Sequence, residues 1–263
     1  MLLQGKVALV HAASGEVGRR VAEHFAREGA EVWLAGRNTQ KLEPIAEAIR
    51  RAGQQAQPIS VDALNAESIH EGTERVARAR GRLDIVFNAI AVGRASSVIG
   101  PAIDVSAETF LESFRTVVLS QFLTARTAAR HMLQRGQGSI IFLTATPARG
   151  VAPLMAGHSA GHAAIEGLVK SLAAEWGSSG VRVNGLMSGG MPETSRIGEV
   201  HATMAKLFGL GSQELSTMTV QKTQLKRMPT LDQTAQVAAF LASDYAGSLT
   251  GTIVNASCGE VVG

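Results

Sequence analysis

With 263 residues, 45% hydrophobic and 18% charged, the chain has the size and composition of one large α/β domain and not of a disordered or fibrous protein. The net charge of +3 comes from scattered basic pairs such as Arg19-Arg20, Arg50-Arg51 and Lys226-Arg227, and only 4% of residues are aromatic, so no nucleic-acid-binding stripe is expected. The longest apolar runs are too short to span a bilayer, no charged-then-apolar leader is expected, and the single cysteine, Cys258, excludes an internal disulfide framework; the expectation is a cytoplasmic protein without a membrane segment.

In chain order, Lys6 to Val10 reads as a strand, followed by the small-residue turn Ala12-Ala13-Ser14-Gly15-Glu16-Val17-Gly18. Val17, Val21, Ala22 and Phe25 then recur at helical spacing until Gly29. Glu31 to Ala35 is a second strand, and Asn38 is a candidate N-cap for a helix carrying Leu42, Ile45, Ala46 and Ile49. Gln57 to Val61 is a third strand, Ala66 to Arg80 a helix, and Leu83 to Phe87 a fourth strand. A loop from Ala91 to Asp104 leads into one long helix from Ala107 to Leu133.

Ser139 to Leu143 is the fifth strand. The next helix opens at Gly157-His158-Ser159-Ala160-Gly161-His162 and carries Ile165, Leu168, Val169, Leu172 and Trp176 on its apolar side. Its two histidines, four residues apart, share one face. Val181 to Leu186 is the sixth strand, Thr230-Leu231-Asp232-Gln233 a capping box, and Thr252 to Asn255 the last strand. Strands alternating with helices predict a single doubly wound, Rossmann-like parallel sheet of about seven strands over residues 1–263, with ligands at the carboxyl ends of the strands. Met187 to Met228 breaks the alternation and holds five of the eight methionines, so it is expected either as a substrate lid over the ligand edge or as an ordinary packed excursion.

Several segments carry a family resemblance. They are Gly5-Lys6-Val7-Ala8-Leu9-Val10, Ala35-Gly36-Arg37-Asn38, Val61-Asp62, Asn88-Ala89, Gly138-Ser139-Ile140-Ile141, Ser171-Leu172-Ala173-Ala174-Glu175, Val181-Arg182-Val183-Asn184, Phe240-Leu241-Ala242-Ser243-Asp244 and Leu249-Thr250-Gly251. On these the chain resembles the short-chain dehydrogenase/reductase family over essentially its whole length. The resemblance is specific for fold and much less so for activity, which resides in the site.

That family cradles a dinucleotide diphosphate in a glycine turn at a helix N-terminus. Against the commonest pattern, Thr-Gly-x-x-x-Gly-x-Gly, this chain keeps only Gly18; against Gly-x-x-Gly-x-x-Gly, Ala12, Gly15 and Gly18 keep two of three. Ser14 and Val17 belong to the same turn. Glu16 puts a carboxylate where a diphosphate would lie, which is unfavourable unless it turns to solvent or a cation. By resemblance, Arg37 takes the 2′-phosphate of NADP, and no acid stands there to select NAD. Asp62 contacts adenine, and Asn88 and Ala89 begin the family's Asn-Asn-Ala-Gly motif, with Ile90 in place of the glycine. Gly189 keeps half of a Pro-Gly, and Thr194 lies one residue out of step with a Thr that contacts the nicotinamide amide. The cofactor expectation is NADP in preference to NAD.

The family's catalytic tetrad is Asn, Ser, Tyr and Lys. Its positions here are Val117, Ala145, His158 and His162, so all four differ, and Ala145 and Val117 offer no side-chain hydrogen bond. Alternation along the strand is expected to turn Thr144 and Thr146 to the face opposite Ala145.

Three readings follow. In the first the protein is a pseudoenzyme, or is severely impaired in Tyr/Lys-type carbonyl reduction, and keeps the fold for binding, assembly or sensing. In the second it is an active NADP(H)-dependent oxidoreductase with His158 as proton donor, kept neutral by a cationic His162. In the third the His158/His162 pair supports metal or halide chemistry, with His11 on the same sheet edge. His24, His70, His131 and His201 read as surface or structural residues, and Cys258 as a small core or interface residue.

By resemblance a homodimer or homotetramer is expected, assembled through the long helix and the His158 helix, whose Thr124-Ala125, Thr127-Ala128-Ala129 and Ala173-Ala174 would permit close approach. A bulky apolar small molecule is a conceivable ligand of the lid.

Overall fold

The computed structural model describes residues 1–92 and 99–262, so part of the loop expected from Ala91 to Asp104 lies outside the described residues. The elements are β1 (Val7–His11), α1 (Glu16–Arg27), β2 (Glu31–Gly36), α2 (Thr39–Arg51), β3 (Ala56–Ser60), α3 (Ala66–Arg80), β4 (Ile85–Asn88), α4 (Ala107–Ser113), α5 (Ser120–Arg135), β5 (Gly138–Ala145), α6 (Ala156–Trp176), β6 (Val181–Ser188), α7 (Ser195–Phe208), α8 (Ser212–Lys222), α9 (Leu231–Ala242) and β7 (Ile253–Ala256). The seven strands form one sheet in the order β3-β2-β1-β4-β5-β6-β7, and every pairing is parallel. Because β1 pairs with β2 on one side and β4 on the other, the chain reverses direction across the sheet there. The crevice beyond His11 and Asn88 is therefore the topological switch point, where ligands of such sheets bind.

Alternation along the strands divides the core in two. Ala8, Val10, Leu34, Ile141 and Leu186 pack against Val21 and Phe25 of α1, Leu42 of α2 and Ala238 of α9. Val7, Leu9, Val86, Ile140, Phe142 and Val183 pack against Ile69 of α3, Val117, Ala128 of α5, and Ile165 and Val169 of α6. The helix starts follow local chemistry. Asn38 accepts from the Gln40 amide, Asn65 accepts from Glu67 and Ser68, and the Thr230–Gln233 capping box is complete in both directions.

The structure corrects several sequence-based expectations. The fourth strand begins at Ile85 and not Leu83; just before it the Asp84 carboxylate accepts the Val7 amide at 2.8 Å and binds Arg82 at 2.7 Å and Arg135 at 3.2 Å, while the Asp84 backbone bonds Val7 and Ser139. Burial pushes the Asp84 carboxyl up, but these donors outweigh it and hold it below the usual carboxylate range.

The helix expected from Ala107 to Leu133 is interrupted by a π-helical turn, Phe114–Leu119, and runs on to Arg135. Of the small residues expected on a docking face, Thr124, Ala125, Thr127, Ala128, Ala129 and Ala173 are buried in the single chain and Ala174 is exposed. Cys258 is only half-buried, and its backbone is left-handed at φ 57°, so it is not a core residue. Among the described residues no helix is long and apolar enough to cross a membrane.

Candidate functional site

The carboxyl ends of β1, β4, β5 and β6 bring the expected site residues to one edge of the sheet. The turn after β1 runs from Ala12 through Gly15 into α1. Ala12 itself adopts the left-handed conformation at φ 57°, which costs a non-glycine residue about 1–2 kcal/mol. Gly18 is irreplaceable for a steric reason, since a Cβ there would stand 2.4 Å from the Ala12 carbonyl oxygen. Gly15 is the N-cap of α1 and supplies no side-chain cap, so the first-turn amides beginning at Glu16 and Val17 face the crevice without one. This cradle fits an anionic ligand. Ser14 is exposed on the same turn.

The neighbouring positions agree with an adenosine-side pocket in part. Arg37 is exposed directly after β2. Asp62 is half-buried, and its Oδ1 accepts the Leu64 amide at 3.0 Å, which holds the post-β3 turn. Asn88 is fully buried: it donates to Thr124 Oγ1 at 3.0 Å and accepts the Ile90 amide at 2.9 Å, while the Ala89 amide reaches the His11 carbonyl at 3.4 Å. Gln121, unremarked in the sequence, braces this edge by donating to the Asn88 and Leu143 carbonyls.

Glu16 is solvent-exposed, and its carboxylate is engaged by the start of α7. Both its carboxylate oxygens accept the backbone amide of Ser195, at 2.9 and 3.1 Å, and one also accepts the Ser195 hydroxyl at 3.2 Å. Thr194 is the N-cap of α7: its hydroxyl donates to the Met191 carbonyl at 2.8 Å and accepts from the Ile197 amide. Gly189 is packed under Glu260, whose Oε2 would lie 2.9 Å from a Cβ at that position. Burial pushes the Glu260 carboxyl up, opposed by a hydrogen bond from Thr146 and by Lys222.

The four residues matched by resemblance to the family's tetrad lie on α6, at the end of β5 and in the π turn. His158 and His162 stack edge to face, with ring centroids 4.4 Å apart and planes at 72°. His162 is buried and His158 half-buried, yet the His158 Nδ1 is sealed from solvent without a hydrogen-bond partner. Val117 is buried in the π turn and Ala145 closes β5; neither can bond a substrate oxygen.

Thr144 follows Ile140 and Phe142 on the face of β5 that packs against α6, as alternation places it, and its hydroxyl lies 3.3 Å from the His162 carbonyl and 3.4 Å from the His162 Nδ1. A hydroxyl carries one hydrogen, so with that hydrogen on the carbonyl the ring must donate through Nδ1. These are long, weak contacts.

Burial, then the positive charge of Arg196, lowers the His158 pKa to about 4. Burial, then His158 and Arg196, holds His162 well below 6.5. The expectation that a cationic His162 keeps His158 neutral is therefore reversed: the persistent cation beside the pair is Arg196, in the first turn of α7, which donates to the Val92 carbonyl at 3.0 Å. Nothing in the sequence singled it out within the segment from Met187 to Met228. His11 is buried at the end of β1, lowered by burial to about 4, with its Nε2 unpartnered. Among the described residues, no three His, Cys, Asp or Glu side chains converge as metal ligands.

A cavity of about 330 Å³ lies at the opposite, amino-terminal edge of the sheet, lined by Lys6, Asp84 and Arg182 among others. Its charges are committed: Lys6 pairs with Asp244, and Arg182 donates to the Leu241 and Ser243 carbonyls.

With this geometry in view, residues 12–260 match the family model described as enoyl-(acyl carrier protein) reductase. Gluconate 5-dehydrogenase from Gluconobacter oxydans (strain 621H) is 26% identical over 260 residues, covering 99% of this chain and 96% of that protein. The peroxisomal 2,4-dienoyl-CoA reductase of Danio rerio is 27% identical over 98% of this chain and 82% of its own. A solved structure assigned as an NAD(P)-dependent gluconate 5-dehydrogenase from Beutenbergia cavernae, with NADP at low occupancy, is similar at TM-score 0.85 and 27% identity, covering 98% of this chain and 97% of that one.

Proposed function

Because the chain belongs to the short-chain dehydrogenase/reductase family, we propose that it is an NADP(H)-binding protein of oxidoreductase ancestry that acts as a pseudoenzyme, or is severely impaired, in carbonyl reduction. The observation that carries this reading is the His158–His162 pair: two imidazoles in edge-to-face contact, both held neutral near pH 7, where relatives are expected to carry Tyr and Lys. An imidazole with a pKa near 4 has almost no protonated form at neutral pH, so it is a poor general acid, and its conjugate is a weak base. Ala145 and Val117 add no hydrogen bond to a substrate carbonyl or relay water.

The cofactor side is better supported. The left-handed Ala12, the obligatory Gly18 and the uncapped start of α1 suit a diphosphate, and Arg37 suits the 2′-phosphate of NADP over the ribose hydroxyls of NAD. A bound nicotinamide would supply or accept hydride; this chain's residues would hold the nucleotide through Ser14, Gly15, Val17, Gly18, Arg37, Asp62, Asn88, Ala89, Gly189 and Thr194. The segment from Met187 to Met228 would cover it as a lid, with Met191, Leu215 and Met228 forming an adaptable apolar layer suited to a bulky apolar ligand. A homodimer or homotetramer suits the exposed Leu111 and Leu119 near α6 and the exposed Phe240 and Tyr245 by α9.

The test is a panel of ketones, aldehydes and enoyl thioesters assayed with NADPH at neutral pH. The reading expects turnover no better than a tetrad-deleted enzyme; robust NADPH-dependent reduction of any of them would overturn it.

A further inference from the structure

The contact between Glu16 and Ser195 bridges the two walls of the nucleotide crevice. Glu16 is the first residue of α1, in the turn that fits a diphosphate, and Ser195 is the first residue of α7. A negative carboxylate at the start of α7 satisfies an amide with no partner inside the helix, and it does so from the far side of the crevice. Thr194 already caps the Ile197 amide, so Glu16 completes the remaining part of the cap. Both residues are solvent-exposed, so the contact can open without unfolding anything.

We infer that Glu16 sets the affinity of this crevice for dinucleotides: its carboxylate is an internal counter-anion that holds α7 against the glycine turn, and a diphosphate enters only as that contact opens. The inference rests on the dinucleotide-binding reading above. Its physical basis is double. A carboxylate beside the cradle repels a diphosphate directly, and the Ser195 amide it occupies is tied down at the crevice wall. The contact is exposed and screened, so the expected effect is graded.

The experiment is a calorimetric titration of NADPH into the wild-type protein, Glu16→Gln and Glu16→Gly, with hydrogen exchange of the first turn of α7 followed in the nucleotide-free proteins. Glu16→Gln keeps the side-chain length without the charge and guards against a misfolded glycine variant. Both variants are expected to bind NADPH roughly three- to tenfold tighter, and their α7 first-turn amides to exchange faster than in the wild type. Equal or weaker binding in both variants, with the wild type still saturating, removes the role of Glu16 and leaves the dinucleotide reading standing. No binding by any of the three, whatever the exchange rates, removes both. Unchanged exchange at the start of α7 overturns the claim that Glu16 holds it.

Discussion

His158 and His162 meet edge to face at 4.4 Å, one turn apart on α6. A charge on either ring would be buried against the other and near Arg196, so the pair is stable only when both rings are neutral. A positioned general acid contributes about 10²–10⁴-fold to a reaction. Replacing His158 with Ala should therefore change any residual NADPH-dependent reduction at pH 7 by no more than about twofold, measured by steady-state kinetics. A loss of two orders of magnitude would instead make His158 the proton donor.

After burial, Arg196 is the next cause of the lowered pKa at His158, and at His162 it follows burial and His158. Arg196→Met should raise both toward 6.5 without restoring them fully, because the burial contribution persists. Two-dimensional NMR titration of the imidazole signals reads this directly, and unchanged values would show that the α7 cation does not act on the pair.

Neutral buried histidines also shape acid stability. The folded pKa of His11 lies near 4 against 6.5 for a free imidazole, so the unfolded chain binds that proton more readily. The stability conferred by keeping His11 neutral is complete above about pH 6.5 and is lost as the pH falls toward 4. The urea midpoint should fall across this window, and His11→Gln should fall less steeply. Identical pH slopes for the two proteins would contradict the assignment.

The glycine turn makes opposite predictions at two neighbouring positions. Gly18→Ala drives a methyl to 2.4 Å from a backbone oxygen and should destabilise the protein by about 1–3 kcal/mol. Ala12→Gly relieves a left-handed φ of 57° and, after the added freedom of the unfolded chain, should be neutral or stabilising by up to about 1 kcal/mol. Chemical denaturation of the two variants separates them.

The scaffold was readable in the sequence wherever local physics decides structure. Asn38 and Thr230 announce their helices because a capping side chain acts within three residues, and the unbroken apolar runs of β1 and β5 follow from a sheet buried on both faces. The pairing of His158 and His162 was also legible, since residues four apart on one helix share a face.

What was not legible depends on distance in the chain. Glu16 meets Ser195 across 179 residues, and Arg196 approaches the histidines only because α7 folds back over the strand ends. Alternation along β5 separates Thr144 from Ala145 but does not say which of the two faces meets α6, where Thr144 approaches His162.

The central claim is a retained dinucleotide crevice beside an extinguished proton relay, and equilibrium titration of the purified wild-type protein with NADPH, NADP and NAD tests it most directly. The account predicts saturable binding of NADPH and NADP, weaker binding of NAD, and no consumption of the bound NADPH when carbonyl substrates are added. Absence of saturation with every nucleotide, or rapid oxidation of bound NADPH by a carbonyl compound, would contradict it.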